Sequence, residues 1–138
     1  MKKKVLFIIG SLQSGGVSKS MVSLLNTWDR NKYDTSLLLC CKEEDVFSKY
    51  LPDNVKIIYS PIIEHVMGGF SSARWLLLHG HILLSLGVFL RLILSHVSKS
   101  LSAELIAKMM PVVSHEYYDL IVDYGGQQLL YYMVNKLS

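Results

Sequence analysis

Cysteine, proline and charge are all scarce in this chain of 138 residues. The two cysteines, Cys40 and Cys41, are adjacent at the end of an apolar run. They read as small buried thiols rather than a disulfide framework or a metal site, which fits a reducing cytoplasm. Charged residues are only 18% of the chain, the net charge is +3, and the basic residues form no patch interleaved with aromatics. A nucleic-acid partner is excluded on that ground. A secretion signal is also missing, because Lys2, Lys3 and Lys4 precede an apolar core of only Val5–Ile9, short of the roughly 7–15 residues required. The longest nearly uncharged run, Trp75–Leu90, is interrupted by His79, Gly80, His81, Ser85 and Gly87 and followed by Arg91. That argues against a membrane span of about 18–20 apolar residues.

Hydrophobic residues, by contrast, make up 51% of the chain. The length suits one ordinary domain that buries roughly two thirds of its unfolded surface. So apolar a composition implies that some surface meets a partner, another domain or a lipid interface.

The organising stretch is Lys4–Trp28. Val5–Ile9 is a continuous, β-branched-rich run, as a strand buried on both faces would be. Gly10, Gly15 and Gly16 punctuate a turn, after which Val17, Met21, Leu24, Leu25 and Trp28 form one helical stripe. Strand, glycine turn and helix open a βαβ unit and bring a helix's positive end and free N–H groups to a place where a ligand can come close. An anionic ligand is the expectation. Neither named phosphate loop is present: Gly16 and Val17 stand where a P-loop needs Lys and Ser or Thr, and no two glycines of the turn have the G-x-G spacing. The plainer alternative is that Gly15 and Gly16 only let the chain turn and pack the helix on the strand.

Thr35–Cys41 reads as a second buried strand, Glu43–Leu51 as a short amphipathic turn with a solvated acidic start, and Val55–Tyr59 as a third strand ended by Pro61. From Ile62 to about Val113 the text is helical. Gly68 and Gly69 suggest a mobile loop, and Ser71 or Ser72 a helix cap. Trp75 onward reads as one long helix, either packed on the sheet or lying at a membrane interface with Trp75 and the leucines toward lipid and Arg74, Arg91 and Lys99 near headgroups. His79 and His81, two apart, would fall on different faces of that helix, which argues against paired metal ligands. Ser102–Val113 reads as a further helix ended near Pro111.

Tyr117–Gln128 repeats the opening pattern, with a short strand over Leu120–Val122, a turn at Asp123–Gly126 and a helix over Leu129–Leu137. The fold class is therefore α/β, a doubly wound parallel sheet of about four strands with helices on both faces. All turns after parallel strands share the carboxyl edge, so Gly15–Gly16 and Gly125–Gly126 should flank the topological switch point if the fourth strand pairs beside the first. His115 and Glu116 precede the strand and fall at the opposite edge. Asp123 ends the strand at the crevice, where it either orients a hydroxyl or simply forms the turn.

KVLFIIGSLQSGGVSKSMVSLLN, DRNKYDTSLLL, LPDNVKIIY and YDLIVDYGG, taken as a series, resemble the amino-terminal domain of GT-B glycosyltransferases of family 4, of the kind that build bacterial surface polysaccharides. Ile62–Met110 is the divergent part. The resemblance implies two facing Rossmann-like domains, the first mainly binding acceptor and the second mainly nucleotide-sugar donor. By position it gives Gly15, Gly16 and Lys19 contact with the donor diphosphate. On an acceptor-side domain, the place of Asp123 at the crevice suits acceptor orientation and that of Gly125, Gly126 and Gln127 acceptor binding. Nothing in the sequence requires a metal, and no cofactor is expected beyond the nucleotide-sugar substrate. No two glutamates here match the family's Glu-x7-Glu donor motif. The expectation is accordingly a single amino-terminal domain over 1–138 with a helical insert at about 62–113, the incomplete first half of a GT-B fold with its donor domain absent. Such a fragment of a retaining transferase would be inactive alone. Its partners would be the donor, a sugar or lipid-linked acceptor, and the missing domain or a separate donor-domain chain, with peripheral contact at the inner face of the cell membrane. The alternative is a non-catalytic module that binds a membrane or a partner.

Overall fold

The computed structural model describes residues 2–13, 15–42, 46–126 and 129–137. Four strands, β1 (Lys3–Ile9), β2 (Tyr33–Leu39), β3 (Lys56–Tyr59) and β4 (Leu120–Asp123), form one all-parallel sheet in the order β3-β2-β1-β4. Among the described residues the helices are α1 (Gly16–Thr27), α2 (Pro61–Met67), α3 (Phe70–Leu78), α4 (Ile82–Val97), α5 (Lys99–Met109) and α6 (Leu130–Tyr132), the last running on as a π turn over Met133–Leu137. This is the α/β, Rossmann-like architecture expected of the sequence.

The continuous apolar run of β1 follows from burial on both faces. Val5, Phe7 and Ile9 pack with Met21, Val22 and Leu25 of α1, while Leu6 and Ile8 pack with Ile63, Val66, Ile106 and Tyr132 of α2, α5 and α6. Alternate residues thus serve two cores, and no polar position is tolerated between them. Tyr132 is fully buried and donates its hydroxyl to the Pro111 carbonyl at 2.8 Å, which fixes α6 against the end of the helical segment.

Several expectations shift. β2 begins at Tyr33 and ends at Leu39, earlier than the apolar letters suggest, and the turn before β3 contributes a single 3-10 turn, Ser48–Tyr50. Pro61 does more than end β3: it occupies the first turn of α2, where a missing N–H costs nothing. Ser71 and Ser72 lie inside α3, whose cap is Gly69 without a side-chain bond, so neither serves as the cap.

The largest correction concerns the run from Trp75. It is two helices rather than one long one, broken at His79–Gly80–His81. Gly80 adopts φ +81°, with its N–H bonded to the Leu77 carbonyl and the His81 N–H bonded to the Leu76 carbonyl. This paired closure of a helix end requires a left-handed residue, which glycine supplies without a Cβ penalty. His79 and His81 therefore sit in a turn rather than on two faces of a helix. Nor does α4 lie principally on the sheet; α3 and α5 are its main neighbours, and Ala73, Leu76 and Val88 form a small core of their own. Trp75 is stacked between His65 and His79, each ring centroid 3.8 Å away, and is not turned outward.

Candidate functional site at the carboxyl edge

Because the strands are parallel, β1 and β4 deliver their following turns to the same edge. They are also neighbours, paired from Val5↔Leu120 to Ile8↔Asp123. After β1 the chain crosses to α1 on one face of the sheet; after β4 it crosses to α6 on the other. That divergence opens a crevice at the switch point. The hollow is about 270 Å³ and is lined by Gly10, Ser11, Gly15, Gly16, Ser18 and Gly125 among others. Both glycine turns thus contribute to one crevice through Gly15, Gly16 and Gly125. Gly126, at φ +63°, is the left-handed residue that lets the β4 turn close, and Gln127 lies outside the described residues.

The positive end of α1 is left open. Its cap residue is Gly15, which makes no side-chain cap bond, and no acidic residue stands in the first turn. The first internal bond is Lys19 N–H to the Gly15 carbonyl at 3.1 Å, which leaves the Gly16, Val17 and Ser18 N–H groups without helical partners. The Ser18 hydroxyl donates back to the Ser11 carbonyl at 3.1 Å and holds the loop in place. A Cβ built on Gly15 or on Gly16 would meet nothing within 4 Å. Close helix–strand packing is therefore not what these glycines provide; they keep the backbone bare toward the hollow.

Other candidate residues fall elsewhere. Lys19 lines a separate hollow of about 330 Å³ with Val22, Ser23, Phe47 and Tyr50. Asp123 pairs with Ile8 on the α6 side, and its carboxylate accepts from the Leu129 N–H at 3.4 Å, bridging the turn between β4 and α6. Nearby Cys40 is buried and free, as expected; burial, with Asp123 and Cys41 adding to it, pushes its thiol up to about 12, where it is inert as a nucleophile.

The roomier hollow, about 440 Å³, lies at the amino edge beside Ser114, His115, Glu116 and Lys136. Glu116 there is already engaged, at 2.6 Å from Lys56 Nζ and 3.0 Å from Lys4 Nζ, at the starts of β3 and β1. These hydrogen bonds hold its carboxyl down at about 2. It reads as a tie between strand starts, and we place the candidate site at the carboxyl edge, where the glycine-capped start of α1 and the turn after β4 line one hollow. Among the described residues no three His, Cys, Asp or Glu side chains gather as a metal ion would require.

One contact had no counterpart in the sequence. The Tyr124 hydroxyl stands 2.6 Å from the Ser20 hydroxyl and ties the turn carrying Gly125 to the helix that Gly16 opens. Nothing in two residues 104 positions apart signals such a link.

Fold and crevice together define a Rossmann-like α/β domain with a candidate anion site at its switch point. Comparison with protein-family models, with curated proteins and with solved structures finds no match to this chain.

Proposed function

We propose that the crevice receives the diphosphate of a nucleotide sugar, and that the chain is the acceptor-side domain of a retaining glycosyltransferase of surface polysaccharide or glycolipid synthesis. The observation that carries this reading is the uncapped start of α1 at two glycines whose missing side chains leave open space toward a hollow shared with Gly125. A diphosphate rests on backbone N–H groups at such a helix start, and the helix's partial positive charge favours it.

In the complete enzyme an acceptor hydroxyl would displace the nucleoside diphosphate, whose developing charge the α1 N-terminus would stabilise. Donor recognition would need a second domain, and Tyr117, Leu120, Leu130 and Val134 leave exposed apolar surface at and beside the open edge of β4 that suits such a neighbour. The chain alone is then expected to hold a nucleoside diphosphate weakly and to transfer no sugar. Assay of the purified chain with nucleotide sugars tests this, and robust turnover would refute it. Submillimolar binding of a nucleoside diphosphate would point instead to a nucleotide-sensing role. A second reading, a non-catalytic module that meets a membrane or a partner, is favoured by the apolar face that α4 turns to solvent.

A further inference from the structure

Helix α4 is apolar on the side that faces water. Ile82, Leu83, Leu86, Phe89, Leu90, Ile93 and Val97 are all exposed, Leu83 at 85% and Val97 at 79%. At about 100° per residue they occupy one sector roughly 120° wide, opposite the side that buries Ser85 and Val88. The patch continues onto α3, where Phe70, Leu77 and Leu78 are exposed and Phe70 meets Phe89 at 5.6 Å between ring centroids. An exposed apolar surface of this extent marks an interaction site.

Charge says what covers it. Between Glu64 and Glu104 the sequence holds no Asp or Glu, so α3 and α4 carry none of the chain's 11 carboxylates. Arg74 is exposed on α3 beside this patch, and Lys99 is exposed just past the end of α4. Arg91, half buried and bonded to the Gly68 carbonyl, adds its charge from behind. A second copy would bring like charge against like charge, whereas an anionic surface with an apolar interior complements both features. None of the described helices is long and apolar enough to cross a membrane, so α4 would lie in the interface plane.

We infer that the solvent-facing side of the α3–α4 hairpin docks on an anionic lipid surface. The inference stands independently of the diphosphate reading of the crevice. Flotation of the purified chain with phosphatidylcholine vesicles, with and without about 30% phosphatidylglycerol, tests it. The chain should float with the anionic vesicles and at least about tenfold less with the neutral ones, and binding should fall steeply between about 50 mM and 500 mM salt. L83D/L90D should lose at least about tenfold in binding, its exposed positions leaving the circular dichroism unchanged. R74E/K99E should lose the salt-sensitive part, and it remains a test if the first variant misfolds. Wild-type chain that stays with the unbound fraction, charge-reversed chain that floats as well as wild type, or a stable dimer that L83D/L90D disperses would each overturn the inference.

Discussion

The hydroxyls of Ser20 and Tyr124 stand 2.6 Å apart and join the first helix to the turn after the last strand. With the Tyr124 N–H on the Ile8 carbonyl at 2.8 Å and the Phe7 and Tyr124 rings edge to face, this contact holds the two walls of the crevice in register. Tyr124→Phe keeps the ring and removes the bond, so it should cost about 0.5–1.5 kcal/mol in urea denaturation. Ser20→Ala should cost a similar amount, and the double variant should cost less than the sum because the two share one bond.

Gly16 and Gly80 are expected to behave oppositely on substitution by alanine. At Gly16 a Cβ enters open space and the residue is helical, so Gly16→Ala should leave stability unchanged or raise it by up to about 1 kcal/mol. Loss of diphosphate binding in a chain of undiminished stability would show that the glycine serves a ligand.

At Gly80 the space is open too, but φ is +81°. Gly80→Ala should destabilise the chain by about 1–2 kcal/mol through left-handed strain alone. Thermal or urea denaturation of the two alanine variants side by side gives the comparison.

Glu116 gives the fold an acid-sensitive part. Bonds from Lys56 and Lys4 lower its carboxyl from an ordinary 4.5 to about 2. A carboxylate lowered on folding stabilises the chain above its ordinary value and loses that contribution as pH falls through the lowered one. Stability should therefore decline from about pH 4.5 toward pH 2, and Glu116→Gln should remove that portion of the decline. The group is solvent-accessible, so high salt should shrink the difference between the two proteins.

The sheet was legible because each strand carries a short apolar run, and α1 because Met21, Leu24, Leu25 and Trp28 recur at helical spacing; Val17, read as part of that stripe, is exposed, and Ser18 and Val22 are buried in its place. That β4 pairs beside β1 was only a condition in the sequence; with the order β3-β2-β1-β4 it is met, and the two glycine turns then share one edge as parallel strands require. The hairpin was less legible for a physical reason. Helix α4 is apolar both where it packs and where it meets water, so the period that separates inside from outside is missing, although Gly80 after a leucine run signals a helix end. Lys19 matched a family position, yet three residues of helix rotate it by about 300° from Gly16, toward Val22 and Ser23. The partners of Glu116 and Tyr124 exist only once distant segments have come together.

Amide NMR titration of the isotopically labelled chain with a nucleoside diphosphate bears most directly on the central claim, that the crevice is built for a diphosphate. The result expected is a set of shifts confined to Gly15, Gly16, Ser18 and Gly125 and their neighbours, saturating in the millimolar range, about −4 kcal/mol, and abolished by Gly16→Val. Shifts centred on the His115–Glu116 hollow, or none at tens of millimolar ligand, would contradict it.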